Sequence, residues 1–261
     1  MSGAAGWGKE NGALLSLAGV GKRFGGLEAV KDVSLEVAAG RVHGLIGPNG
    51  AGKTTVFNLI SGVLPATEGS MKFAGQELNG LTPDRINTLG IARTFQNIRL
   101  FPTMTVLESV IVAQNVRTSG WDMIVPFHAR KQREMRGKAE ELLKVFHLGD
   151  KRHERCSALP YADQRRLEIA RALATEPRLL LLDEPTAGMT AHELEEFEER
   201  VFLLGKQGLT ILLIEHNLNI AMSCCHRLTV LNYGQKIAEG TPEEIQADPV
   251  VIEAYLGSPE E

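Results

Sequence analysis

Apolar and polar positions alternate with a period of two near the start of the chain. Ala13 to Val20 and Ala29 to Val37 carry this pattern, which belongs to strands with one buried face. Gly25-Gly26 supplies a turn between them. The next run, Val42-His43-Gly44-Leu45-Ile46, is short and almost wholly apolar, which predicts a strand buried on both faces. Thr55 to Ile60 then reads as the opening of a helix. Ser70 to Leu78 predicts a hairpin that turns at Ala74-Gly75. Thr82-Pro83 predicts a short helix with threonine as N-cap and proline at the first helical position. Ile91 to Phe95 reads as another strand.

From Val106 to Leu148 the period lengthens. Leu107, Val110 and Ile111 share one helical face, and Leu142, Leu143 and Phe146 share another. The apolar segment Trp121 to Phe127 between them fits neither period. Gln164 to Ala174 is helical again. There follow a strand at Leu179 to Leu182, a helix at Ala191 to Gly205, a strand at Leu209 to Ile214 and a short helix after His216. Arg227 to Tyr233 and Gln235 to Glu239 are expected to pair around Asn232-Tyr233-Gly234. Thr241-Pro242-Glu243-Glu244 is a capping box, and Asp248-Pro249 opens a last helix that stops at Gly257. The pattern predicts an α/β fold in a single domain over 1–261. A loose tail covers 1–12, and a helical subdomain from about Val106 to Ala174 is inserted in the α/β core.

Hydrophobic content of 43% suits an ordinary core. A net charge of -4 counts against a dedicated nucleic-acid binder. No apolar run approaches the roughly 20 residues that cross a bilayer. The N-terminal residues lack the basic and apolar regions of a signal peptide. Cys156, Cys224 and Cys225 are odd in number, with two adjacent. They make a poor disulfide framework and fit a reducing compartment.

Gly47-Pro48-Asn49-Gly50-Ala51-Gly52-Lys53-Thr54-Thr55 fits the template G-x-x-x-x-G-K-[ST]. A strand precedes it and a helix follows, which separates a phosphate-binding loop from an ordinary glycine-rich turn. Such a loop curls its N–H groups inward, and the helix N-terminus adds positive potential. Lys53 is placed to reach the outer phosphates of a nucleoside triphosphate, and the Thr54 hydroxyl to sit on Mg2+. A second signal is Arg178-Leu179-Leu180-Leu181-Leu182-Asp183-Glu184-Pro185. Two carboxylates end a buried strand, where open α/β sheets bind ligands. Asp183 is expected to hold Mg2+ through water and Glu184 to orient the attacking water. A strand that merely ends in a charged turn is the plainer alternative.

These motifs, with Ser157 to Leu173 just ahead of the Leu179 strand, resemble the ATP-binding subunits of ABC transporters over essentially the whole chain. Within that superfamily the chain is most similar to the branched-chain amino-acid (Liv-type) importer subunits, through Ala92 to Phe101 and the ending Ala254-Tyr255-Leu256-Gly257. The resemblance implies an ABC-type P-loop nucleotide-binding domain with an antiparallel β subdomain and a helical subdomain, using ATP and Mg2+. It assigns Phe24 to stacking on adenine. Gln96 joins Thr54 and Asp183 at the metal and couples the site to the membrane subunits. His216 stands near the γ-phosphate, and with Lys53, Glu184 and Gln96 it completes the catalytic set. Leu159, Tyr161, Ala162 and Asp163 belong to a signature segment that meets the nucleotide of a facing domain. Implied partners are two transmembrane permeases, a second ATPase chain (this one or a different one) and, indirectly, an extracytoplasmic solute-binding protein. The implied location is the cytoplasmic face of the plasma or inner membrane. Alternative readings are lipid or lipopolysaccharide export, import of urea or short amides, and a soluble ABC ATPase.

The chain also departs from the family pattern. After Leu159, Pro160 to Asp163 replace the usual Ser-Gly-Gly-Gln. Pro160 has neither hydroxyl nor N–H to offer a phosphate. Asp163 brings negative charge toward it unless Arg165 or Arg166 offsets that charge. Thr190 stands where the family usually has an aspartate. These departures point to a different ATPase chain as partner, with two unequal composite sites. Trp121 to Phe127 is either subdomain core or a patch that docks a membrane subunit. The cluster Arg130, Lys131, Arg133, Arg136 and Lys138 is either a solvated helix face or a contact for anionic lipid.

Overall fold

The computed structural model describes residues 12–95, 98–117 and 128–256. The chain forms two units, Met1–Ile86 with Leu181–Glu261, and Asn87–Leu180.

In the first unit, β1 (Ala13–Phe24) and β2 (Leu27–Ala38) form a long antiparallel hairpin. Leu15 and Leu17 on one strand and Val33, Leu35 and Val37 on the other are buried, as alternation requires, and a register shift after Leu17 keeps Val20 buried as well. Register shifts after Leu17 and Val20 carry the hairpin on to Phe24, beyond the point where strict alternation stops. With β4 (Glu68–Phe73) and β5 (Gln76–Glu77) these strands make a sheet of order β2-β1-β4-β5. Its tight β4–β5 turn uses Ala74 at φ 49 and Gly75 at φ 80.

A second sheet in this unit has the order β10-β9-β3-β8-β7. Its members are β3 (Val42–Ile46), β7 (Leu179–Asp183), β8 (Thr210–Ile214), β9 (Arg227–Asn232) and β10 (Gln235–Gly240). β3 runs parallel to both β8 and β9, while β10 is antiparallel to β9. Every residue of β3, β7 and β8 is buried. Continuous apolar strands covered on both faces produce that pattern, each leucine contributing about 1.5–3 kcal/mol by leaving water. The helices of this unit are α1 (Lys53–Ile60), α6 (Ala191–Lys206), α7 (Leu218–Cys224), α8 (Pro242–Ala247) and α9 (Pro249–Leu256); α2 (Pro83–Leu89) spans the boundary to the second unit. The predicted capping box forms at Thr241 and Glu244, with Pro242 in the first turn of α8.

The second unit holds β6 (Ile91–Arg93), α3 (Val106–Ala113), α4 (His128–Val145) and α5 (Tyr161–Ala174). The three helices pack on one another around Val106, Val110, Leu143, Phe146 and Leu167. α5 starts three residues before the predicted Gln164. Pro160, with ψ 154, is its N-cap, and a proline ends any extension toward the N-terminus. On α4 the basic cluster is a solvated face laced with ion pairs. Arg130–Glu134 and Arg136–Glu140 pair at 3.1 Å with i,i+4 spacing, and Lys138 meets Glu176. Trp121 to Phe127 lies outside the described residues.

Candidate active site

β3 delivers the chain at Ile46 into the loop Gly47 to Gly52, and α1 begins at Lys53. Gly47 has φ 147, and a Cβ there would lie 2.1 Å from the Leu231 carbonyl oxygen, so only glycine lets the loop leave β3 beside β9. Gly52, at φ 98, is the N-cap of α1 and brings no capping side chain to the first turn. The first N–H groups of α1 thus face the loop without a side-chain acceptor at the cap, as an anion site requires. The β9–β10 turn braces the loop from behind. Gly234 N–H donates to the Ala51 carbonyl at 3.1 Å, while Lys31 N–H donates to the Gly234 carbonyl at 2.8 Å.

Lys53 is buried, and its ammonium donates to the carbonyls of Gly47 and Pro48 at 2.6 and 2.8 Å. Burial pushes its pKa down, and the Glu184 and Asp183 carboxylates pull it back up. The loop ammonium and the acidic tip of β7 therefore share one electrostatic neighbourhood. Asp183 is 1% exposed and ends β7, whereas Thr54, in the first turn of α1, is exposed.

Glu184 follows with φ 47, a left-handed conformation uncommon outside glycine. Its N–H donates to the Ile214 carbonyl at 3.0 Å, which ties it to the end of β8. His216, two residues beyond Ile214, places Nε2 against Glu184 Oε1. Two residues that follow different strands thus meet. Phe24 ends β1 half-exposed, with the Lys22 ammonium 5.1 Å from its ring centroid. Gln96 lies outside the described residues.

The segment before α5 belongs to the second unit and differs from a row of outward ligands. Tyr161 is exposed and Ala162 half-buried, but Leu159 and Asp163 are buried. Of the two arginines expected to offset Asp163, Arg166 does so at 3.2 Å, joined by Lys151. Arg165 turns away instead, donating to the Phe95 carbonyl at 2.6 Å and to Glu168 at 3.1 Å. A carboxylate on the inward side of a helix satisfies itself with internal cations, because burying it uncompensated is costly. Thr190 also has a local task. It caps α6 in a reciprocal box with Glu193.

Two residues of this region carry no sequence signal beyond their type. Glu215 and Thr186 are both buried and bond to each other between the ends of β8 and β7. Read along the chain, a carboxylate after an apolar run is simply a strand end.

The donor set fits a nucleotide and a hard divalent cation: backbone N–H groups and an ammonium for phosphate, a hydroxyl and a carboxylate for metal. A family model described as ABC transporter matches residues 30–187, and one described as branched-chain amino acid ATP-binding cassette transporter matches residues 235–261. The chain is 44% identical to the high-affinity branched-chain amino acid transport ATP-binding protein LivG of Escherichia coli (strain K12), covering 94% of this chain and 98% of LivG. It is 41% identical to the corresponding protein BraF of Pseudomonas aeruginosa, again over 94% of this chain and 98% of its relative. A solved ATP-binding cassette of an ABC transporter in its ADP conformation superposes with a TM-score of 0.82 at 33% identity, covering 94% of this chain and 99% of that one. Phosphate loop, acidic strand tip and these matches agree: the chain belongs to the ABC transporter family, as one of its ATP-hydrolysing, nucleotide-binding cassettes.

Proposed function

We propose that Lys53, Thr54, Asp183, Glu184 and His216 form the hydrolytic centre of a cassette that energises import of branched-chain amino acids through separate permeases. The observation that carries the hydrolytic reading is the contact of His216 with Glu184, beside a lysine whose charge responds to Glu184 and Asp183. The loop Gly47-Pro48-Asn49-Gly50-Ala51-Gly52 and Thr55 cradle the phosphates, and Lys53 exchanges its two carbonyl partners for phosphate oxygens. Thr54 and Asp183, with Gln96 by resemblance, would hold Mg2+. When bound, the metal neutralises charge on the phosphate oxygens. Glu184 orients the attacking water and accepts its proton, and His216 fixes the rotamer of Glu184. Phe24 offers its ring to adenine. Tyr161 and Ala162 face a partner's nucleotide, while Leu159 and Asp163 support the segment from inside.

Similarity to LivG and BraF supports branched-chain amino acids as cargo. None of the described helices is long and apolar enough to cross a membrane. Two separate permease subunits would span it, with this chain at their cytoplasmic face, as the similarity to transport ATP-binding proteins supports. A solute-binding protein delivers the cargo from the other side. The replaced signature residues and the capping use of Thr190 favour a different ATPase chain as the second cassette.

Glu184→Gln tests the centre. Nucleotide binding should persist while turnover falls by at least about a hundredfold, the scale of a lost general base. Turnover at the wild-type rate would remove Glu184 from its role.

A further inference from the structure

Glu215 is 3% exposed, directly follows β8, and takes part in no step above. Its Oε1 accepts from the Thr186 N–H at 3.2 Å and from the Thr186 hydroxyl at 2.8 Å. The backbone N–H groups of His216 and Asn217 also favour the charged form of the same carboxylate. Burial pushes the carboxyl up, and these donors all favour the charged form. Two donors of the loop after β7 therefore converge on one buried side chain of the loop after β8.

The same two loops carry the proposed chemistry. Thr186 lies two residues beyond Glu184, and His216 is the next residue after Glu215. Glu184 keeps φ 47, a conformation that persists where surrounding structure fixes it. One fixing bond is its own N–H to the Ile214 carbonyl at 3.0 Å. Glu215 supplies the other anchor, on the far side of Pro185. Together the two anchors hold the turn on both sides of Pro185, and a turn that loses one of them can rotate.

We propose that Glu215 is a positioning residue: by clamping Thr186, it holds Glu184 and His216 in the mutual orientation that hydrolysis needs. This rests on the reading of Glu184 as the water-activating base. Glu215 acts through Thr186 and His216. A group with only a structural role would change folding stability and nucleotide affinity together. A positioning group lowers kcat at constant affinity, because the Lys53 loop lies on another strand.

The experiment compares Glu215→Gln, Thr186→Val, Thr186→Ser and Glu184→Gln in the full chain within its transport complex, measuring kcat, ATP affinity and melting temperature. Glu215→Gln removes the charge that strengthens both hydrogen bonds from Thr186. It should lower kcat about tenfold or more and leave ATP affinity within about twofold, since small misplacements of a reacting group are costly. Thr186→Val should lower kcat, and Thr186→Ser, which keeps the hydroxyl, should restore it. The double variant Glu215→Gln with Thr186→Val should be no slower than Glu215→Gln alone. The proposal is overturned if Glu215→Gln turns over at the wild-type rate while Glu184→Gln is inactive, or if affinity and kcat fall together. Should Glu215→Gln fail to fold, equal rates for Thr186→Val and Thr186→Ser overturn it. If Glu184→Gln itself keeps full turnover, the base assignment fails first, and that outcome is distinct from a failure of the clamp.

Discussion

His43 is the second residue of β3, four residues before the phosphate loop, and is buried against the Thr229 hydroxyl at 2.8 Å. Burial pushes its pKa from 6.5 down to about 4, with smaller effects from Glu239, Arg227 and Lys236. The folded state therefore holds neutral His43, while the unfolded chain takes up a proton near 6.5. Stability is fully present above the unfolded value and is lost as pH falls toward about 4. The loss attributable to this residue is on the order of 3 kcal/mol. Urea unfolding across this range should show that extra acid sensitivity in the wild type and not in His43→Gln. Parallel pH curves for the two proteins would contradict it. At this scale the legible residues are those whose chemistry is fixed by a short motif. Lys53, Thr54, Asp183 and Glu184 stand next to their context in the chain. Glu215 and Thr186 do not, because 29 positions separate them and only the pairing of strand ends brings them together. The inward turn of Asp163 was equally hidden, since one of its cations, Lys151, comes from outside α5, 12 positions earlier.

Elements were legible where burial is complete on both faces. β3, β7 and β8 are continuous apolar runs, and such runs bounded by glycine or charge leave little choice of structure. The half-buried strands were legible in kind but not in length. Bulges shift the β1–β2 register, so alternation ends before the hairpin does. β6 stops at Arg93, two residues short of the expected Phe95, and α5 begins earlier than its apolar periodicity does. Helix ends follow caps more than periodicity: Thr105 with Glu108 starts α3, and Thr190 with Glu193 starts α6. The Thr190 box also explains how the chain tolerates the missing aspartate there, since the position is held by helix capping.

At the scale of the whole molecule, one chain carries both a phosphate loop and a segment that resembles the family signature, and the departures at Pro160 to Asp163 fall on the second. If the facing cassette is a different chain, the two composite sites are chemically unequal. Replacing Lys53 here and its counterpart in the other chain, one at a time, should then leave different residual ATP turnover in the assembled transporter; equal losses would favour two equivalent sites. Every such reading depends on the loop at residues 47–55 gathering a triphosphate beside a metal held by Thr54 and Asp183. The most direct test is the affinity of the full chain for ATP, measured by calorimetry with and without magnesium, in the wild type and in Lys53→Ala. Binding that strengthens with magnesium in the wild type and is largely lost in a folded Lys53→Ala chain is the expected result. Affinity indifferent to magnesium, or unchanged when the ammonium is removed, would contradict it.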